Sequence, residues 1–405
     1  MNKVIRSSFI FSVLSLFVFL GDELGAENSP SNDVPPGAGA ILEPLADGGD
    51  ATALIQNALR EHGIVRLRDG AEFHLQSPIR LTSGQGLVGS AVLIPEFESK
   101  EINANLSAAI VIHGKNVLLD GLEIRKPFVD GSYGIGVMVS SGSENITLRN
   151  LEISRYSARY GILVLESSSI EITGCTIRDF MMNVAADMIS DSPAGICIKR
   201  CNNGIVSNNR VFRIKNGPAG RASISPLKPQ YGKQGYQSDN IFIGSSTGFA
   251  VTGNVLETSG EGIDLLLSSS CTVTGNVIRD IWFQGIKMLG ASNCTISGNY
   301  ISDCYQGIGL ATHRTYDAEC ENNSITGNVI RNTGTPGSFG VAAPGRVRYG
   351  ETAGIDINDT SKNNVIANNV IAITSPDAEM TSAIRKNDEY NLIKNNILPD
   401  EKEAQ

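Results

Sequence analysis

The chain is poor in aromatic side chains, in histidine and in net positive charge. Aromatics make up 6% of its 405 residues, against 43 glycines. Few rings and many glycines suit short strands joined by tight corners. The formal net charge is −9. No global basic field for nucleic acid follows from that, although a local basic patch stays open. There is no Cys-x-x-Cys pair and no histidine-rich cluster, which argues against a zinc site. The apolar run Phe9 to Leu20 is too short for a membrane span. Lys3 and Arg6 precede it, so residues 1–26 read as a signal peptide cut near Ala26, with no stable membrane span afterwards. Residues 27–47 then form a linker and entry segment, rich in Asn, Ser, Pro and Gly over its first part. A secreted or periplasmic protein is expected.

What is present is a repeat. The phrase Gly-Ile-x-aliphatic returns at Gly134-Ile135-Gly136-Val137, Gly161-Ile162-Leu163-Val164, Gly195-Ile196-Cys197-Ile198, Gly262-Ile263-Asp264-Leu265, Gly285-Ile286-Lys287-Met288, Gly307-Ile308-Gly309-Leu310 and Gly354-Ile355-Asp356-Ile357. Asn240-Ile241-Phe242-Ile243 is a variant, and Ala383-Ile384 a weak last copy. The shortest steps are 22 and 23 residues. Such a period marks a solenoid, in which each coil buries its apolar face against its neighbours. Alternation within the phrase is the period of a strand, with Ile and the aliphatic residue inward and x outward.

A second series follows each glycine by about 14 residues: Gly253-Asn254, Gly275-Asn276, Gly298-Asn299, Gly327-Asn328, Asn368-Asn369 and Asn395-Asn396. Asn150 and Asn209 are assigned to the same slot, and Cys175 replaces the asparagine in one coil. Asparagine tolerates the left-handed backbone of a tight corner, and stacked amides can bond from coil to coil. These asparagines are read as structural.

This pattern resembles the right-handed parallel β-helix repeat family, the pectate-lyase-like superfamily of polysaccharide-active proteins. The resemblance covers residues 48–398 and implies an all-β, single-stranded right-handed parallel β-helix of about nine to eleven coils. An activity on polysaccharide is implied with it. The Asn-Thr-Asp and Gly-His-Gly phrases of the polygalacturonase type, and the Asp-Pro-His phrase of the alginate-epimerase type, are absent.

A solenoid must cover its ends. Asp50 can cap a helix running to His62, whose Leu54, Ile55, Ala58 and Leu59 share one face. The first strands are expected at Ile64–Leu67, Phe73–Leu75 and Ile79–Leu81, and residues 399–405 form a charged tail. Of the seven cysteines, Cys271 and Cys294 should stack on adjacent rungs. That position permits a disulfide and equally suits buried thiols, which are slightly favoured.

Two coils are long: 45 residues separate Gly195 from Asn240, and 47 separate Gly307 from Gly354. Their extra residues are expected to wall a groove over the coils of Gly262, Gly285 and Gly307, because long loops on a rigid scaffold are where function concentrates. The outward column of the floor reads Gly136, Leu163, Cys197, Phe242, Asp264, Lys287, Gly309, Asp356 and Arg385. Gly309 would leave room beside Lys287. One wall offers Arg221, Lys228, Tyr231, Lys233 and Tyr236; the other offers His313, Arg314, Tyr316, Asp317, Arg346, Arg348 and Tyr349. Cations and tyrosines around an open groove suit a long polyanion, so the expected partner is a polysaccharide chain, most simply a uronate polymer.

Proton abstraction beside a uronate carboxylate needs a base, a carboxylate clamp and an acid. Lys287 is the candidate base, Arg314 the clamp, and His313 or Tyr236 the acid. Asp264 and Glu261 could orient Lys287 or hold Ca²⁺, the candidate cofactor. Glu261, Lys233, Tyr236, Arg346, Arg348, Tyr349 and Asp356 are the candidate substrate contacts. This makes a lyase or C5-epimerase the leading expectation. A glycoside hydrolase using Asp264 with Glu261 or Asp356 is the second. A non-catalytic carbohydrate-binding or structural solenoid is the third, in which Asp264–Lys287 is only a cross-strand salt bridge.

Overall fold

The computed structural model describes residues 41–46, 48–97, 108–125, 134–156, 158–182, 193–216, 238–334, 352–357, 360–376, 378–385 and 389–399. Residues 1–26, expected to be a signal peptide, lie outside them, as do most of the expected linker and charged tail and much of both long insertions. Strand Glu261–Leu266 shows the rule of construction. It pairs in parallel with Asp239–Gly244 on the coil before and with Val277–Leu289 on the coil after. Thirteen such strands, from Ile41–Leu42 to Leu392–Lys394, stack as one face. The other two faces run together, because strand Val277–Leu289 turns the corner between them. Its start pairs with Val255–Ser259 and its end with Glu261–Leu266.

The inward residues of the repeated phrase explain why the coils stack. Ile196, Ile241, Ile263, Ile286, Ile308 and Ile355 form one buried column. β-Branched side chains fit a pleated, buried surface and pack well on their own copies. The recurring glycine has a steric cause. A Cβ at Gly262 would lie 2.6 Å from Ile278 Cγ2, inside the corner.

The first coil of the series differs from the expected register. Val137 faces Ile162 and Met138 faces Leu163, after a shift between Gly134 and Ile135. Gly136 is therefore the counterpart of Gly161, and Met138, not Gly136, stands in the outward column. Two Gly-x pairs in one coil made the alignment ambiguous, and packing selects the second.

The asparagine ladder is present and continuous. The side-chain amides bond in order from Asn209 to Asn254, Asn276, Asn299, Asn328, Asn369 and Asn396, each nitrogen donating to the next Oδ1 at 2.9–3.0 Å. Cys175 N–H donates to Asn209 Oδ1, so the cysteine does cap that ladder. The left-handed residue, however, is the one before the ladder asparagine: Gly253, Gly275, Gly298, Gly327, Asn368 and Asn395. Asn150 is such a corner residue, with φ of 54°, and Leu151 fills the ladder slot beside it. A second ladder, Asn323–Asn364–Asn391, runs along another corner and is continued by Cys294, whose N–H donates to Asn323 Oδ1. All seven cysteines are buried, and no disulfide joins them.

The cap helix spans Thr52–His62 and buries Thr52, Ile55, Ala58 and Leu59, with Leu54 only half-buried. Asp50 Oδ1 accepts the N–H of Thr52 and of Gln76, so it ties the helix start to the first coil. The three expected early strands are observed at Ile64–Leu67, Glu72–Leu75 and Ile79–Leu81.

Candidate functional site

Register brings the charged residues together. Asp239 stands opposite Glu261, Phe242 opposite Asp264, Asp264 opposite Lys287, and Lys287 opposite Gly309. Neighbouring strands lie about 4.8 Å apart, so side chains in one column touch. The Lys287 ammonium donates to Glu261 Oε1 and Oε2 at 3.1 and 3.0 Å and to Asp264 Oδ2 at 2.9 Å. Oxygens of Asp239, Glu261 and Asp264 lie within 4.8 Å of one another. All three are buried, at 3%, 1% and 3% exposure. Asp239 Oδ1 and Asp264 Oδ1 are buried without a hydrogen-bond partner.

Three carboxylates gather around one ammonium that bonds two of them, and burial, ahead of their mutual repulsion, sets the protonation. Burial pushes the Asp264 carboxyl up to about 7, with Lys287 pulling against it and Glu261 adding to it. Burial, then the charges of Glu261 and Asp264, push Asp239 well above the usual carboxylate range, while Lys287 opposes. Burial alone would lower Lys287; the charges of Asp264, Glu261 and Asp239 outweigh it and hold the ammonium above its usual range. The sequence made Lys287 a base with a tunable pKa. Its surroundings tune it the other way, and the group that holds and releases a proton near neutrality is the Asp264 carboxyl.

These residues line a cleft of about 300 Å³ together with Tyr160, Lys199, Phe242 and His313. The cleft sits over the coils of Gly195 to Gly285, nearer the N-terminus than expected. Gly309 is not open space, because the Gln284 amide lies over it. Gln284 Nε2 donates to Gln306 Oε1 at 2.7 Å, and Gln306 Nε2 donates to Asp356 Oδ2 at 2.8 Å. Arg385 Nη2 closes the chain on the same oxygen at 2.7 Å. Asp356 is thus three rungs from Asp264, about 14 Å along the stack. That is beyond the ~9.5 Å reach of a hydrolytic carboxylate pair, so the Asp264–Asp356 pairing is set aside.

His313 lines the cleft with its Nδ1 buried and unpartnered, its ring 4.9 Å from that of Tyr316. Arg314 stands exposed in the following turn and is not among the cleft-lining residues. Lys233, Tyr236, Arg346, Arg348 and Tyr349 lie outside the described residues, as do Arg221, Lys228 and Tyr231. Sequence reasoning missed Asp239. Its signal was in the repeat: Asp239-Asn240-Ile241 aligns with Glu261-Gly262-Ile263, which places the aspartate in the slot of Glu261.

Residues 182–404, more than half of the chain, match the family model described as periplasmic copper-binding protein (NosD). The chain belongs to the NosD family. Residues 108–220 match the model of the right handed beta helix region, which fixes the hand of the solenoid. No curated protein matches the chain. Among solved structures, the NosD-family chain is similar to DFA-IIIase from Arthrobacter chlorophenolicus A6, in complex with DFA-III, with 11% identity and a TM-score of 0.61. That match covers 88% of this chain and 93% of the other. The exopolygalacturonase of Thermotoga maritima follows at 12% identity and a TM-score of 0.59, covering 89% and 93%. The Dettilon tailspike protein is similar at 15% identity and a TM-score of 0.51, covering 83% and 69%. These likenesses establish the shared fold.

The family description names copper, which takes imidazole, thiolate and thioether donors. All four histidines and seven cysteines are among the described residues. Among the described residues, the one group of three or more His, Cys, Asp or Glu that converges is Asp239, Glu261 and Asp264. These are hard oxygen donors already gathered around an ammonium. The thiols of Cys175, Cys201, Cys304 and Cys320 are raised by burial and so kept protonated. This donor set does not fit copper. It would suit a hard cation such as Ca²⁺, whose place Lys287 holds. Among the described residues no helix is long and apolar enough to cross a membrane.

Proposed function

We propose that this NosD-family protein is exported and cleaves glycosidic bonds of a polysaccharide at the Asp239–Glu261–Asp264 cluster. One observation carries the reading: three buried carboxylates gather in a cleft around one ammonium that bonds two of them, and burial raises the Asp264 carboxyl to about 7. Glycosidic cleavage needs that pairing of a carboxylic acid with a carboxylate. Asp239, raised well above the usual carboxylate range by burial and by the charges of Glu261 and Asp264, is the acid that protonates the departing oxygen. Glu261 or Asp264 acts as the carboxylate opposite, on the sugar carbon, because oxygens within 4.8 Å of one another leave no place for an intervening water. Lys287 touches both and limits their mutual repulsion, which makes it a positioning residue rather than a base. The similar folds whose names include a polygalacturonase and a DFA-IIIase support a carbohydrate substrate.

A second reading keeps the sequence's leading chemistry with a different base. A carboxylate with a pKa of about 7 suits proton abstraction at neutral pH, so Asp264 would take the role first given to Lys287. One experiment separates the two. The mature protein is incubated with uronate and neutral polysaccharides, and both reducing ends and the ultraviolet absorbance of unsaturated uronates are followed. Reducing ends without absorbance support hydrolysis, and absorbance supports elimination. If neither appears, and NMR shows no epimerised uronate, the catalytic proposal is wrong.

A further inference from the structure

One wall of the cleft continues into a small hairpin with an exposed tip. His313 lines the cleft, and its N–H donates to Ala318 O at 2.8 Å. The N–H groups of Tyr316 and Ala318 return to His313 O at 3.1 and 3.3 Å. The base of the hairpin is fixed on both sides. Thr312 and Thr360 share a hydroxyl hydrogen bond, and a Cβ at Gly290 would come within 3.0 Å of the Ala318 Cβ. Glycine at 290 is therefore what lets the hairpin seat on the preceding coil. Residues 314–317 make the turn at its tip, and all four are exposed. The Tyr316 ring is 68% exposed, and His313, tilted 39° to it at 4.9 Å, buttresses one side. Among the described residues, Arg314 and Asp317 enter no ion pair and no side-chain hydrogen bond. The cations that line the cleft are all engaged: Arg200 with Glu166, Lys287 with the cluster, and Lys199 over the Phe242 and Tyr160 rings.

We propose that Arg314 and Tyr316 form a distal subsite that holds a uronate residue of the bound chain outside the cleft, away from the bond that the cluster cleaves. An aromatic ring takes the apolar face of a pyranose, and the planar guanidinium fork pairs with a carboxylate projecting from it. Asp317, on the same turn, accepts from the sugar's hydroxyls. The hairpin leaves the sheet from the strand of Gly309, two rungs or about 10 Å along the stack from Asp264. The sugar at its tip is therefore a neighbour in the chain, not the residue over the cluster. A backbone already bonded to itself and a ring already buttressed lose little freedom on binding. This inference rests on the polysaccharide reading above and names the sugar that the chain carries at this distance.

The test uses a panel of galacturonate, mannuronate, guluronate and glucuronate oligosaccharides, from the disaccharide upward, each beside its carboxyl-reduced counterpart. Cleavage is read as kcat and KM, and binding by calorimetry, for the wild type, Arg314→Gln, Arg314→Lys and Tyr316→Ala. For one uronate, the wild type is expected to gain about tenfold or more in kcat/KM once the chain is long enough to reach the tip, the scale of one hydrogen-bonded charge pair. Arg314→Gln and Tyr316→Ala remove that gain through KM, and leave kcat and the shortest substrate unchanged. Arg314→Lys keeps part of it. Carboxyl-reduced chains show a smaller gain and do not feel Arg314→Gln. If the wild type cleaves but Arg314→Gln leaves KM for long uronate chains unchanged, or raises it equally for short ones, the subsite is wrong and the cleavage reading stands. If long uronates bind through Arg314 without being cleaved, the subsite stands and the cleavage reading falls. If the wild type neither cleaves nor binds any member of the panel, both fall.

Discussion

Lys287 and Asp264 face each other on adjacent strands, Nζ to Oδ2 at 2.9 Å, and the same ammonium also holds both oxygens of Glu261. The pair is not a surface salt bridge of small consequence. Asp264 is buried and Lys287 largely so, beside two further buried carboxylates, and the ammonium is what makes the cluster tolerable in a place of low dielectric. This separates the present reading from one in which the pair merely covers the sheet.

Removing that cation should therefore be costly. Lys287→Met is expected to destabilise the protein by about 3–5 kcal/mol, the usual penalty for leaving buried charge without its partner. Denaturant titration measures this. Adding Asp264→Asn to the same variant should restore part of the loss, because one of the stranded charges is then gone. Ca²⁺ should raise the Tm of Lys287→Met through the vacated carboxylates while leaving the wild type unmoved. A Lys287→Met protein as stable as the wild type contradicts the account of the cluster.

The proton inventory of the cluster should appear in pH profiles. The Asp264 carboxyl has a reference value of 3.8 and stands at about 7 in the fold. Between those values the native protein binds a proton that the unfolded chain does not. The contribution of this group to stability thus falls as pH rises through the window, then stays level above it. Lys287 works at the other end. Its raised value supplies stability in full below the ordinary lysine range, which is lost only as pH climbs above that range. Turnover that uses Asp264 as carboxylate or base should rise as pH climbs toward and past about 7, where that group gives up its proton. A rate that is flat from pH 5 to 9 would deny these carboxyls a role in proton transfer.

The asparagine ladder can be tested away from the cleft. Asn276 accepts the N–H and amide of Asn254, and donates its own to Asn299 and to Val251 O. Asn276→Ala removes these bonds and strands buried partners, at a cost of about 3 kcal/mol. Thermal unfolding should shift accordingly, with little change in KM.

Asp356 offers a contrast with Asp264. It accepts from Gln306 and Arg385, three rungs from Asp264. Asp356→Asn is expected to weaken the fold locally and to lower kcat far less than Asp264→Asn does. Equal losses in the two variants would bring Asp356 back as a partner in the chemistry.

The repeat made the fold readable, because Ile241, Ile263, Ile286 and Ile308 answer to burial alone and burial leaves a periodic trace. The same trace gave the opposition of Asp264 and Lys287, since register in a parallel stack follows from the phrase itself. What it could not give was the direction in which long side chains lie. Gln284 was invisible as the residue that covers Gly309, and the floor was drawn one to two coils too far along for that reason. The role of Lys287 turned on a third carboxylate, Asp239, hidden at the end of an insertion where the glycine of the phrase is missing. Gly136 and Asn150 were misplaced because each stands in a doubled or shifted copy that only packing resolves.

The central claim is that the carboxylates of this cleft cleave a polysaccharide. Its most direct test is the release of reducing ends from the uronate panel by the wild type and by Asp264→Asn, Glu261→Gln and Asp239→Asn, each first shown to be folded. The account predicts release by the wild type and a loss of about 10²–10⁴-fold in each variant, the usual worth of a positioned acid or base. Release that survives all three substitutions would contradict it.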